Sequence, residues 1–364
     1  MMNLMSLTSL TSPTMSSLSV NTTFGSFQNP KVRNLERLQD LEQRFNAKLI
    51  GQETAVNEVC SVIRHIITGF HDESVPYGVL LFAGPTGVGK TELAKMVAEE
   101  LAVPFLRYDM SEYNEKDCQS TLLGSGPGYR DSEKGGNLIK SLQEYPVAVV
   151  LFDEIEKAHP SIFPIFLQLF SEGRITDRMR NTVTAKNVIF IMTTNLGSRE
   201  IFRDLQGSSA PSLSAVLRPL FVDIFSPELY GRIHKTIIFN NLKDDSLVKI
   251  TENFMMTLMQ EIYQRKNILV CWDHNVIEYL AHSKSSPEMG AREIQNRVRD
   301  LTLPILSKSY ASQLFSEGDI ITFYTQSDGL NIKVLSKGKK KSQRHFVHST
   351  AHYDFYLSSP RSKL

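Results

Sequence analysis

Cysteine is scarce in this chain of 364 residues: Cys60, Cys118 and Cys271 stand far apart, with no C-x-x-C pair among them. That spacing excludes a disulfide framework and a thiolate zinc site, and it fits a reducing compartment. Long apolar runs are missing too. No stretch of about eighteen consecutive apolar residues occurs, so no membrane-spanning helix is expected. Net charge is nearly absent, at +1, which gives no bulk attraction to nucleic acid or to a lipid surface. Residues 1–30 carry no charged side chain and are rich in Ser, Thr, Met and Asn. Without a basic n-region, a continuous apolar h-region or arginines they read as disordered, with an organelle or bacterial export address as the alternative.

What is present is the composition of a folded protein, 41% hydrophobic and 22% charged, in a chain long enough for two or three domains. Its focus is Gly84, Pro85, Thr86, Gly87, Val88, Gly89, Lys90 and Thr91, which match the phosphate-binding pattern G-x-x-x-x-G-K-[ST]. The apolar run 79–82 precedes it and the helix-forming run 92–101 follows, the context in which such a loop binds nucleotide rather than forming an ordinary glycine turn. Glycines let successive backbone N–H groups turn inward around phosphate oxygens, and the helix N-terminus adds partial positive charge. Lys90 is expected to reach the β and γ phosphates and Thr91 to hold Mg²⁺.

Further strands are expected at 105–109, 147–152, 188–192 and 236–239, separated by helical stretches, which reads as a doubly wound α/β domain. A face of Val56, Val59, Cys60, Ile63, Ile66 and Ile67 at helical spacing predicts a core-facing helix before Gly69. Beyond residue 240 the texture is mainly helical, at 247–263, 275–282 and from Gly290 to about 306, with a terminal hairpin from 319–324 and 331–335 around Asp328-Gly329. The expected division is a disordered 1–30, an α/β ATPase domain over 31–240, a small helical domain over 241–336, and a basic tail over 337–364 with seven Lys or Arg against Asp354. His345, His348 and His352 in that tail have no scaffold to make them a metal site.

Nucleotide binding becomes hydrolysis when a metal anchor and a base for water are added. The run ending at Phe152 delivers Asp153 and Glu154 to a strand's carboxyl end, where ligands of parallel sheets gather. Asp153 suits magnesium, and Glu154 suits the general base; the alternative is a solvated strand end. Asn195, following the next apolar strand, is positioned to orient the same water.

The stretches GPTGVGKTELAK, DMSEY, VVLFDEIEKAHP, GRITD, MTTNLGS, FSPELYGRI and GAREIQ, in this order, resemble the second ATPase domain of ClpB-type disaggregases, in the Clp branch of the AAA+ proteins. The resemblance covers residues 46–335. It implies a five-stranded parallel α/β domain with a helical lid, ATP and Mg²⁺ as ligands, a ring of six identical or mixed subunits, and polypeptide as substrate. By position, Arg232 would be an arginine finger reaching the neighbouring subunit's nucleotide, Arg292 a lid sensor arginine, Asn195 the sensor at the γ-phosphate, and Ile50 the contact to adenine. Tyr129, in Gly128-Tyr129, would grip an extended polypeptide in the channel, the alternative being a turn tyrosine packed on its own loop.

The chain departs from that family at several points. Tyr129-Arg130-Asp131-Ser132 stands where the family has Tyr-Val-Gly-Tyr, and Gly231-Arg232 stands where disaggregases have Asn-Arg, the glycine form being more like ClpV-type ATPases of type VI secretion. No peptidase-docking tripeptide is visible between Asn195 and Phe225, and a single ATPase domain is present. The expected function is therefore ATP-driven remodelling or threading of proteins, the alternative being a nucleotide-dependent assembly switch that does not thread. The cytoplasm is the expected location, with the peroxisome as the alternative if Ser362-Lys363-Leu364 acts as an address in a eukaryote.

Overall fold

Strands that are apolar on both faces can only be stable in the middle of a covered parallel sheet, and three such strands form the centre of this protein. In the computed structural model, which describes residues 36–124, 136–204, 213–282, 290–326 and 329–337, these are β1 (Gly78–Ala83), β3 (Ala148–Asp153) and β6 (Val188–Thr194), buried along their whole length. The less apolar β2 (Phe105–Asp109) and β7 (Lys235–Ile238) take the two edges. The order is β2-β3-β6-β1-β7, all parallel, which is the expected five-stranded sheet.

Alternation along each strand sorts side chains into two cores. Val79, Leu81, Val150, Phe152, Phe190 and Met192 face one layer of helices, which includes Phe163–Glu172 and Leu213–Tyr230. Leu80, Phe82, Val149, Leu151, Ile189 and Ile191 face the other, formed by Glu53–Thr68 and Lys90–Leu101. The face predicted for the first of these helices is the buried one, and Gly69 ends it in the left-handed conformation (φ 78°), as a C-terminal glycine does. A short hairpin, β4 (Arg174–Thr176) and β5 (Thr182–Thr184), interrupts the path to β6 and was not evident in the sequence, since each arm has only three residues.

Past β7 a second, smaller core gathers Leu247, Met255, Met259, Ile277, Ile294, Val298 and Phe323 from helices Asp244–Lys266, His274–His282 and Ala291–Ala311 and a small sheet. Met255 and Met259 fill this core, as their helical spacing suggests. The expected hairpin is there as β9 (Ile320–Gln326) and β10 (Gly329–Ser336), and a third strand, β8 (Leu269–Trp272), joins β9 in parallel. Among the described residues no helix is long and apolar enough to cross a membrane.

Phe152, the residue before Asp153, is fully buried between Phe166 (ring centroids 4.4 Å apart), Tyr108 (5.8 Å) and Phe190 (6.0 Å). Truncating it leaves a ring-sized cavity under the strand end that carries the carboxylates. Phe152→Ala is expected to destabilise the domain by about 3–5 kcal/mol in denaturant unfolding, and Phe152→Leu by clearly less.

Candidate active site

Parallel register brings three strand ends together. Ala83 lies opposite Thr194, and Phe152 lies opposite Met192. Gly84, Asp153 and Asn195 therefore emerge side by side, at the place where the chain, having run from β1 out to β2 and back through β3 and β6, crosses β1 to reach β7. Such a reversal in strand order opens a crevice at the carboxyl end of the sheet. Gly84, Gly87 and Gly89 have φ of 154°, 77° and 104°, conformations that side chains resist, and a Cβ on Gly84 would meet the Phe239 carbonyl at 2.5 Å. Gly89 then caps the helix Lys90–Leu101.

Lys90 is only 8% exposed. Its ammonium donates to the carbonyls of Gly84 (2.5 Å) and Pro85 (2.7 Å) and to Asn195 Oδ1 (2.9 Å), so it lies folded across the loop. Burial pulls its pKa down to about 8, against the opposing pull of Glu156, Asp153 and Glu154. Anionic oxygens entering the loop would replace three neutral acceptors with charged ones and restore the full cation.

Asp153 is nearly buried, accepts the Thr193 hydroxyl on Oδ1, and turns Oδ2 toward Thr91 Oγ1 at 3.5 Å. A hydroxyl and a carboxylate oxygen at that separation suit a small hard cation that keeps its other positions for water and phosphate, so the donor set fits Mg²⁺. Glu154 points elsewhere because its backbone is left-handed (φ 58°), which costs a non-glycine residue of order 1–3 kcal/mol. The turn is held by its N–H donating to Thr193 Oγ1 (2.9 Å), by Lys157 Nζ on Oε2 (2.5 Å) and by Asn195 Nδ2 on Oε1 (3.3 Å). Lys157 is accordingly held more basic than usual by its bond to Glu154. Two adjacent carboxylates thus face different partners, Asp153 the hydroxyls of Thr91 and Thr193, and Glu154 the side chains of Lys157 and Asn195.

Three residues that the sequence reading did not single out complete this arrangement. Glu156 Oε1 accepts the backbone N–H of Asn195 (3.0 Å), while its Oε2 is buried without a hydrogen-bond partner among the described residues. Arg107, on β2, donates to Asp153 Oδ2 from Nε (3.0 Å), and its Nη2 lies 2.7 Å from the same oxygen as an ion pair. Gln52 clasps the backbone of Asn240 with both ends of its amide (2.8 and 3.0 Å), tying the segment before the first long helix to the end of β7. The repeated acid in Glu154-Ile155-Glu156 and the Gly51-Gln52 pair were the available signals; for Arg107 there was none.

The remaining predicted residues lie around this centre. Ile50 is half-buried in the turn before Glu53–Thr68; its neighbour Leu49 abuts Gly89, where a Cβ would lie 2.4 Å from Leu49 Cδ1. Thr86 donates to Asn195 Oδ1 (3.3 Å), and Val88 is buried. Arg292 is exposed in the first turn of Ala291–Ala311, and that helix touches the phosphate loop directly: Ala291 N–H donates to Gly87 O at 2.8 Å. A Cβ on Gly290 would sit 2.6 Å from Thr86 O and 2.8 Å from Gly87 Cα, so only glycine allows this approach. Arg232 is not part of the cluster. It is exposed in the turn between Leu213–Tyr230 and β7, and among the described residues none pairs with its guanidinium. Tyr129 lies outside the described residues, as do both tails and Ser362-Lys363-Leu364.

Comparison with known proteins agrees with this geometry. Residues 75–236 match the AAA domain (Cdc48 subfamily), and residues 242–323 match the C-terminal, D2-small domain of ClpB protein. The chaperone protein ClpB of Chlamydia caviae is 40% identical over 281 residues, 75% of this chain and 32% of that protein. The corresponding protein of Rickettsia bellii is 35% identical over 303 residues, 82% and 35% of the two chains, and ClpB 1 of Synechococcus elongatus 35% over 308 residues, 83% and 35%. The chain spans about a third of the length of these curated relatives. With a nucleotide crevice built on five parallel strands and a ClpB-type small domain reaching into its phosphate loop, the chain belongs to the Clp-type AAA+ ATPases.

Proposed function

We propose that the protein binds and hydrolyses ATP with Mg²⁺ and uses the cycle to remodel or thread other polypeptides, as a subunit of a ring. The observation that carries the hydrolytic half is the convergence of Lys90, Thr91, Asp153, Glu154 and Asn195 on one crevice. Lys90 and the inward N–H groups of 84–91 bind the phosphates, Thr91 and Asp153 hold the metal, and Glu154 accepts a proton from a water that Asn195 orients. Magnesium supplies charge neutralisation at the phosphates when bound. Ile50 would pack on adenine. We divide the chain accordingly into an ATPase domain over 31–240 and a lid over 241–336. The bacterial relatives favour the cytoplasm over a peroxisomal address.

Sharing of the site between subunits is supported by a distance. The turn holding Arg232 is fastened to the amino end of β1: His234 N–H donates to Val79 O (2.8 Å), and Val79 N–H donates to His234 Nδ1 (3.2 Å). The phosphate loop begins at the carboxyl end of the same strand, five residues on, or roughly 17 Å at the usual rise. An extended arginine does not span that gap, so Arg232 serves a nucleotide other than its own. Arg292, beside Gly87, serves its own. A homologous polypeptide grip at Tyr129 and a six-membered ring follow from the family likeness, and the switch without threading is the competing reading.

Three outcomes test this. Arg232→Ala is expected to lower ATP turnover roughly 10³-fold or more while nucleotide affinity stays within a few-fold; turnover near the parent's would remove the shared site. Tyr129→Ala is expected to abolish unfolding of a tagged reporter protein with ATPase retained, whereas an unchanged set of activities supports the switch. Because burial pulls the Lys90 pKa down to about 8 and the ammonium must be charged against phosphate, ADP binding is expected to take up a proton above that pH. Affinity should therefore fall up to about tenfold per pH unit above pH 8, with proton uptake visible by calorimetry in buffers of different ionisation enthalpy.

A further inference from the structure

Asp109 and Asp153 are cross-strand partners at the ends of β2 and β3, so two carboxylates stand side by side where the sheet opens. Like charges in that position repel. One cation lies between them: Arg107, two residues before Asp109 on the same face of β2, has Nη2 2.7 Å from Asp153 Oδ2 and 3.9 Å from Asp109 Oδ2. The two contacts are unequal in kind. Asp109 Oδ1 is engaged by the Ser111 hydroxyl (2.6 Å) and N–H (3.0 Å), which fix the carboxylate and leave Oδ2 facing Arg107. Those bonds, with help from Arg107 and Lys157, hold Asp109 below the usual carboxylate range.

Asp153 Oδ2 has the more telling position. It is the oxygen turned to Thr91, and Arg107 contacts it from two nitrogens. A guanidinium seated on that oxygen and a cation shared with Thr91 compete for the same lone pairs, and their like charges oppose one another. Arg107 has somewhere to go. Its side chain is about half exposed, and it borders a cavity of about 400 Å³ lined by Tyr108, Asp109, Glu112, Tyr113 and Asn137. Asp109 Oδ2, already 3.9 Å from Nη2, is a second carboxylate oxygen close to the guanidinium.

We propose that Arg107 is a positioning residue that occupies the metal carboxylate Asp153 while the site is metal-free and moves to Asp109 when Mg²⁺ takes its place. This rests on the reading of Thr91 and Asp153 as the metal pair. Its consequence is that the edge strand β2, and with it the turn Met110–Tyr113 capped by Asp109, senses whether the metal site is filled.

The test is the ratio of two dissociation constants for a fluorescent ADP analogue, one in EDTA and one in saturating Mg²⁺, which reads metal coupling without turnover. Arg107→Ala uncovers Asp153 against the phosphates in EDTA and removes a competitor in Mg²⁺, so the ratio should rise about three- to five-fold, the upper range for a partly exposed pair. Asp109→Asn withdraws the second berth and should lower the ratio, and the double variant should match Arg107→Ala. An unchanged or lower ratio for Arg107→Ala, or a shift of the same sign in both single variants, overturns the proposal; loss of a merely structural ion pair would not produce opposite signs. Should Arg107→Ala not fold, as judged by its unfolding midpoint, Asp109→Asn decides alone. Thr91→Ala serves as the control: if it fails to bring the ratio close to one, the metal reading itself is at fault, independently of Arg107.

Discussion

A lysine ammonium held almost entirely out of water is a costly feature, and much of the site is arranged around it. Desolvation alone would discharge Lys90 well below its ordinary range, and the acids of the adjacent strand end, Glu156, Asp153 and Glu154, pull it back. Those acids can be near it only because β1, β3 and β6 run in parallel and in register, so that the loop after one strand opens beside the carboxylates of another. The apolar faces that bury the sheet are thus what make a charged crevice tenable at its edge. The crevice combines costly parts: a cation with neutral acceptors, an acid in a left-handed turn, and a Glu156 oxygen with no partner among the described residues. Anionic oxygens in the loop would relieve the first of these directly.

Much of this was legible in the sequence because it is local. The phosphate loop is eight consecutive residues whose spacing is dictated by backbone geometry, and Asp153-Glu154 is marked by the apolar run that ends on it. The three fully buried strands were equally plain, since burial on both faces leaves an unbroken apolar signature. What escaped is of two kinds. Short arms such as β4, β5 and β8 carry three or four residues, too few for a period to establish itself. Partnerships made by topology, such as Gln52 with Asn240, 188 residues apart, or Arg107 with Asp153, leave no trace in either neighbourhood. A basic residue within a half-exposed edge strand reads as surface, and only the pairing of β2 with β3 reveals which acid it meets.

The two readings of the arginines diverge for the same reason. Neither Arg232 nor Arg292 differs from a surface arginine by its neighbours in sequence beyond the family likeness. Geometry separates them: the helix bearing Arg292 abuts Gly87, whereas the turn bearing Arg232 is fastened at the opposite end of β1. One strand therefore carries the glycine loop 84–89 at one end and the turn with the exposed Arg232 at the other.

The lid adds a second coupling, and glycine is the reason it can. At Gly87 and Gly290 two backbones approach so closely that neither tolerates a Cβ, and the Ala291 N–H bonds to the phosphate loop rather than to its own helix. Gly51, in the turn beside Ile50, lies equally close to Ser246 at the start of the lid's first helix. The small domain is thus seated on the loop at one point and on the turn beside Ile50 at another, with Gln52 and Asn240 clasped to each other. Because the contact is backbone to backbone, the lid responds to the shape of the loop rather than to the charge within it.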